Sequence, residues 1–372
     1  MRICHFADSH LGAGENHYRR GQSGLTLRQE DIINGFIEAV DRIIALKPDV
    51  CIHAGDVFHT VRPLNRIMAL AGAQFYRLAE QNGIPTIIIT GNHDAPKQPH
   101  IGAALDVYRQ IDNLYIAAES KLDIFEINGV KFFTLPHCLT TDIQKAELAK
   151  CIPDKNARYN VLILHGVASG MPEFSMADLG EQELPLEIMN RFDYTALGHF
   201  HNYCRVADRA FYAGSTERLS QSEREAAKGL IEVELEPFKI VFHEIRSRPM
   251  VDLQPIDARG KRGDQLAELI RQELEKVDSS DKIVRVKVEG VTEEIMRTIP
   301  PDAMAELKQK SFSLDVRFEK EKTEESASQF GRSAIGRLDE SFIAYLDTVD
   351  LQGFDKDRLT KEALKYLNLS EE

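Results

Sequence analysis

Five short apolar runs, rich in β-branched residues and each followed at once by polar, metal-capable residues, constrain this chain more than any other feature. The runs cover 2–7, 49–54, 85–90, 160–164 and 194–197. After them come Asp8-Ser9-His10, Gly55-Asp56-Val57-Phe58-His59, Gly91-Asn92-His93-Asp94, His165-Gly166 and Gly198-His199-Phe200-His201. Runs this short and this apolar read as buried strands. Between the first two, apolar residues at 32, 33, 36, 37, 40, 43 and 44 have helical spacing that ends before Pro48. A second helix is expected from about 64 to 81, closed by Asn82-Gly83 as a left-handed cap, and 125–132 reads as a hairpin turned by Asn128-Gly129. The fold class is therefore mixed α/β. In open α/β sheets ligands bind beyond the carboxyl ends of the strands, so the five polar groups are expected to meet in one crevice.

The residue types say what that crevice holds. Asp, His and Asn donors without a thiolate suit divalent ions such as manganese, iron or zinc. Asp8, His10, Asp56, Asn92, His165, His199 and His201 make seven donors, too many for one ion and right for a pair that shares a bridging carboxylate. A lone Asp-x-His or Gly-His-x-His is more often a turn or a helix cap, and Gly91-Asn92-His93-Asp94 after a buried strand is more specific; all five in this order point to a metal site. His5, His17, His53, His100, His137 and His243 belong to no such set and read as core or surface histidines, and Cys4 and Cys51 as small core residues.

Composition sets the wider limits. A chain of 372 residues suggests two or three domains. The five cysteines are scattered with no C-x-x-C pair, the N-terminus has no signal-like apolar stretch, and no run is long enough to span a membrane. A soluble protein in a reduced, cytoplasmic compartment is expected. With 46 basic against 59 acidic side chains the net charge is −13, which does not suggest a general polyanion binder. Yet residues 1–110 carry eleven of each sign, so the acidic excess lies downstream, and two divalent ions would add four positive charges to this neutral segment. Local contact with a polyanion is therefore compatible with the acidic total.

Past about residue 249 a helix (264–277), a strand (283–288), a helix (301–310) and a strand (312–318) read as a small second α/β domain. Residues 320–333 are polar and aperiodic, like a linker, and two amphipathic helices are expected over 338–349 and 356–367.

The ordered motif set resembles the calcineurin-like dinuclear metallophosphoesterases, and among them the SbcD and meiotic-recombination-eleven nuclease branch. His59 stands three residues after Asp56 where many phosphatases of the superfamily have aspartate, Gly214-Ser215-Thr216-Glu217-Arg218 follows the last motif as in those nucleases, and a small α/β domain and helical tail match their organisation. The motif similarity covers about residues 1–220.

The resemblance implies a mixed β-sandwich flanked by helices (1–248), an α/β capping domain (249–319), a linker (320–333) and a partner-binding helical tail (334–372). It implies Asp8, His10, Asp56 and His201 on one metal and Asp56, Asn92, His165 and His199 on the other, with manganese as the expected ion. It assigns His93 as the general acid for the leaving sugar oxygen, with His59 holding it; Asp94 either supports the ligands or caps a helix. The implied activity is a nuclease of DNA double-strand-break repair, a 3'-5' exonuclease on duplex ends and an endonuclease on single strands or hairpins. Implied partners are DNA, an SbcC-type coiled-coil ATPase on the C-terminal helices, and a second copy of the chain. The dimer would form through helices near 64–81 and 101–110, which carry Leu64, Ile67, Met68, Leu70, Ala71, Phe75, Leu105 and Tyr108. Arg19, Arg20, Arg28, Arg62 and Arg66, near the first two motifs, could grip backbone phosphates, although each alone reads as surface charge. Two rivals stand beside this reading: a small-substrate phosphodiesterase or phosphatase of the same superfamily, and a DNA-tethering scaffold for the ATPase.

Overall fold

A computed structural model describes residues 1–98, 100–170, 182–320, 346, 355, 356 and 358–361. Its first part is built on β1 (Arg2–Phe6), β2 (Val50–His53), β3 (Thr86–Ile89), β4 (Leu114–Ala117), β5 (Asp123–Ile127), β6 (Val130–Leu135) and β7 (Tyr159–His165). There follow a short pair β8 (Val167–Ala168) and β9 (Glu183–Leu184), then β10 (Tyr194–Gly198), β11 (Cys204–Ala207), β12 (Ala210–Tyr212), β13 (Lys228–Leu235) and β14 (Phe238–Ile245). Two six-stranded mixed sheets result, ordered β14-β13-β1-β2-β3-β4 and β11-β12-β10-β7-β6-β5. In the first, β1 to β4 are parallel and β13 lies antiparallel against β1; in the second, β6, β7, β10 and β12 are parallel.

Side chains on a strand alternate between faces, and here both faces are apolar because both are covered. Ile3, Val50, Ile52, Ile87 and Ile89 point between the sheets, where Phe132, Val161, Ile163 and Ala196 meet them. The alternate residues Cys4, Phe6, Cys51 and Ile88 face α1 (Leu27–Leu46) and α2 (Asn65–Tyr76). On the far side of the second sheet, Leu162, Leu164 and Leu197 pack under α3 (Thr141–Leu148) and α4 (Leu186–Met189). The sandwich is thus four layers, α, β, β, α, with three apolar seams.

The remaining elements are β15 (Met250–Asp252), β16 (Ile256–Asp257), α5 (Gly263–Glu275), β17 (Ile283–Val291), α6 (Glu293–Thr298), α7 (Pro301–Lys310) and β18 (Ser313–Lys320). The four strands form a separate parallel sheet with its own core around Leu266, Ile270, Val284, Val286 and Leu307. It is latched to the loop after β1: His17 stacks on Phe312 at 4.9 Å, Arg248 lies 3.6 Å over the same ring, and Arg19 donates to the Ser311 carbonyl at 3.3 Å.

Several expectations change. The helix expected over 64–81 ends at Tyr76 and is followed by one π-helical segment, Arg77–Gln81, before Gly83 turns at φ +62°. Only a short 3₁₀ segment, Ala104–Tyr108, occupies the region expected as a helix over 101–110. Sequence reading passed over β4, the β11–β12 pair and the long β13–β14 hairpin, which completes the first sheet beside β1. The helices expected over 338–349 and 356–367 and the linker lie almost wholly outside the described residues. Among the described residues no helix is long and apolar enough to cross a membrane, and all five cysteines are free.

Candidate metal centre

The carboxyl ends of β1, β2, β3, β7 and β10 converge, and each delivers its polar residues to the same place. The turns off the strands are sharp: Asp8, His10 and Asp56 have φ of 50°, 42° and 53°, in the left-handed region that non-glycine residues rarely occupy. Backbone bonds stitch the loops together, with Asp8 N donating to the Gly55 carbonyl and His10 N to the Asp56 carbonyl, each at 3.0 Å. Gly91 is required where it stands, because a Cβ there would collide with the Asp56 carboxylate and the His165 ring.

Besides the triad of His10, His59 and His93, the donors form two groups that share Asp8, one with His10 and His201 and one with Asp56 and His165; within each, the ligand atoms lie within 4.8 Å of one another. Asp56 Oδ2 stands between them, 3.5 Å from His10 Nε2 and 3.4 Å from His165 Nε2. Asn92 Oδ1 lies 3.0 Å from His165 Nε2 and 3.1 Å from His199 Nδ1. His10 Nε2 and His201 Nε2 are 3.1 Å apart. The seven predicted ligands are therefore gathered in one cluster, as their strand-end positions required.

The fit to a cation can be tested on proton positions. His165 Nδ1 must donate to the Ala54 carbonyl at 2.9 Å, so in the neutral ring Nε2 presents a lone pair to two further acceptors, Asn92 Oδ1 and Asp56 Oδ2. Acceptors face acceptors, an arrangement that repels unless positive charge sits among them. A proton on Nε2 would supply such charge: burial disfavours it, yet the Asp56 and Asp8 carboxylates raise the His165 pKa to about 9. Burial pushes Asp8 up to about 7 despite His165 and His201. Asp56 resists the same burial because the His165 and His10 imidazoles hold it well below the usual carboxylate range. Burial, with His165 alongside, drives His199 down to about 3, and burial takes His10 well below its ordinary value, so both rings are neutral and ready to ligate. Two buried carboxylates, an amide oxygen and neutral imidazoles suit divalent ions.

His93 and His59 flank this cluster. Their rings stack at 5.1 Å, His93 Nδ1 donates to the His59 carbonyl at 3.2 Å, and His93 lies edge-on to His10 at 4.7 Å. His59 thus touches His93 through its ring face and backbone, while its own Nδ1 is 3.2 Å from His10 Nδ1. Asp94 caps no helix; its carboxylate accepts from Gly91 N at 2.8 Å and Phe58 N at 3.2 Å and so straps the third loop to the second. Burial and then Asp56 raise Asp94 to about 7.

Among the arginines, the phosphate-contact expectation fails for Arg28. It is buried, 3.4 Å from Asp31 and 3.5 Å from Glu217, and donates to the Arg218 carbonyl. Arg20, Arg62 and Arg66 are exposed, and Arg19 is drawn toward Ser311. Of the apolar residues expected at a dimer face, Ile67, Ala71, Phe75, Leu105 and Tyr108 are buried in the chain's own core, Met68 and Leu70 are partly buried against it, and Leu64 is 57% exposed. His5 and His53 are core histidines, bonded to Tyr194 Oη at 2.8 Å and Ser9 Oγ at 2.9 Å.

Sequence reading missed two residues at the cluster, Glu223 and Lys228. Glu223 sits in Ser220-Gln221-Ser222-Glu223, which reads as an ordinary capping box, and Lys228 opens a strand; neither has a signal of its own.

The calcineurin-like phosphoesterase family model matches residues 1–203, which covers every predicted ligand. The chain belongs to the calcineurin-like phosphoesterase family. Within this family it is similar to proteins named DNA double-strand break repair protein Mre11. That of Methanocaldococcus jannaschii is 29% identical over 61% of this chain and 60% of the relative, and that of Methanococcus maripaludis 32% over 60% and 59%. That of Haloferax volcanii is 28% identical over 82% of this phosphoesterase and 64% of the relative. The chain thus spans about three fifths of the length of these curated relatives.

Proposed function

We propose that this phosphoesterase is a metal-dependent DNA nuclease of double-strand-break repair, cutting duplex ends as a 3'-5' exonuclease and single strands or hairpins as an endonuclease. The observation that carries the reading is the single cluster of seven donors in which Asp56 Oδ2 lies within 3.5 Å of both His10 and His165 nitrogens. Asp8, His10, Asp56 and His201 would hold one divalent ion, manganese by preference, and Asp56, Asn92, His165 and His199 a second. Such a pair, when bound, supplies activation of water and charge neutralisation on a phosphodiester.

The chain's own residues do the rest. His93 N donates to Asp56 Oδ1 at 2.9 Å, which ties the position of His93 to the ligand cluster. With Nδ1 engaged by the His59 carbonyl, the imidazolium form of His93 has its second proton on Nε2, available for the leaving sugar oxygen. His59 fixes the plane of that ring by stacking. Exposed Arg20, Arg62 and Arg66 border the same loops and would contact backbone phosphates. A coiled-coil ATPase of SbcC type on the segments expected as helices over 338–349 and 356–367, and a second copy of the chain across the face with Leu64, Tyr76, Ile101 and Val107, complete the proposal; these four apolar side chains are exposed.

The test is cleavage of duplex ends, single strands and hairpins with manganese, with and without chelator, beside a chromogenic phosphodiester. Chelator-sensitive DNA cleavage is expected. Faster turnover of the small ester than of any DNA would point to a small-substrate phosphodiesterase, and no cleavage at all would point to the scaffold.

A further inference from the structure

Behind the metal cluster lies a buried polar network that the reaction itself does not use. Lys228 has a fully buried side chain and its Nζ donates to Glu223 Oε2 at 2.5 Å, Ser215 Oγ at 2.9 Å and the His201 carbonyl at 2.8 Å. Glu223, also buried, receives His201 Nδ1 on Oε1 at 3.1 Å. Ser220 N and Ser220 Oγ also donate to Oε1, and Leu219 N to Oε2. Ser215 N donates to the His201 carbonyl at 3.0 Å. Gly214 permits this closeness: its φ is +78°, and a Cβ there would stand 2.9 Å from the His201 carbonyl oxygen.

Every partner of the Glu223 carboxylate is a donor, so the surroundings demand an acceptor-only group, an ionised carboxylate neutralised by Lys228. That settles the His201 tautomer. Its Nδ1 has to be the protonated nitrogen, which leaves Nε2 to face His10 and Asp8. His201 is thereby gripped at its carbonyl by Lys228 and Ser215 and at its ring by Glu223. Among the predicted ligands, His165 also has a fixed tautomer, held by the Ala54 carbonyl rather than by this network.

We propose that Glu223, neutralised by Lys228, is a positioning residue for His201 and sets the affinity of only one of the two metal positions, the one that includes Asp8, His10 and His201. The inference rests on the dinuclear reading and adds an asymmetry to it. Carboxylates that orient a ligating histidine typically contribute about 10- to 100-fold in metal affinity. Removing Glu223 alone would strand a buried lysine, so the informative variant is the double change Glu223→Ala/Lys228→Met.

Free manganese, followed by electron paramagnetic resonance during titration of the full chain, reads both positions. Wild type is expected to take up two ions. Glu223→Ala/Lys228→Met should weaken one by about 10- to 100-fold and leave the other unchanged. In a His201→Ala background the same double change should cost nothing further, because its effect passes through His201. Glu223→Asp, which keeps the charge but withdraws the oxygens by one methylene, should show the same one-sided loss in a milder form and serves if the double variant does not fold. Equal weakening of both ions, no weakening, or full additivity with His201→Ala would overturn the inference. A wild type that binds a single ion sinks the dinuclear reading instead, and the coupling to His201 then judges Glu223 on that one ion.

Discussion

At the residue scale the proposed metal-holding group Asp56 and the proposed proton donor His93 differ in burial and in how they are held. Asp56 is buried with its carboxylate within 3.5 Å of both His10 and His165 nitrogens, whereas His93 is half-buried, held by its backbone on Asp56 and by its ring on the His59 carbonyl. His93→Asn should therefore keep both manganese ions while turnover on DNA falls by about 10²- to 10⁴-fold, the usual contribution of a general acid. Asp56→Ala should lose the ions themselves, visible in the same titration. A His93 variant with near wild-type turnover would remove the acid assignment. Gly91→Ala makes a sharper test of packing, since the new methyl group would collide with the Asp56 carboxylate and His165. Manganese affinity should fall although no ligand has been changed; an unaltered titration curve would mean that the loop has room to move.

At the element scale the site depends on strands that are apolar on both faces and on the caps that start the helices between them. Thr26 opens α1 with a reciprocal capping box: its Oγ1 accepts from Gln29 N and its own N donates to Gln29 Oε1, both at 3.1 Å. Its hydroxyl also donates to the Gly14 carbonyl at 2.7 Å, tying the helix start to the loop after β1. Thr26→Ala should cost about 1–2 kcal/mol, measured as a lower urea midpoint. Ile163, wholly buried between the two sheets, should cost about 2–5 kcal/mol when cut to alanine. If Ile163→Ala left the midpoint within the error of wild type, the seam between the sheets would not be close-packed. The five motif-bearing strands and α1 were readable because their signals are local: apolar runs, helical spacing and a proline stop. The hairpin β13–β14 was not, since its alternating polar and apolar residues suit any edge strand, and only its pairing with β1 gives it a place.

At the scale of the whole molecule, charge and metal are linked. Asp8 and Asp56 are both fully buried in one cluster, a state that the folded chain tolerates only with positive charge beside it. Ions that bind the folded but not the unfolded chain stabilise it by about 2.7 kcal/mol each at a free concentration one hundred times Kd. Chelator should accordingly lower the melting temperature of the sandwich, and manganese should restore it; a melting curve indifferent to both would mean that protons alone satisfy the cluster.

Sequence by itself determined which seven residues meet, because each follows a buried parallel strand and parallel strands deliver their carboxyl ends to one edge. It did not determine how those residues are held. That Arg28 is locked against Asp31 and Glu217, that Asp94 ties two loops together, and that Glu223 and Lys228 grip His201 depend on side chains brought together by packing. A strand end is written in a few adjacent residues. An orienting hydrogen bond joins residues whose separation along the chain follows no rule, so it exists only once the sheets have closed.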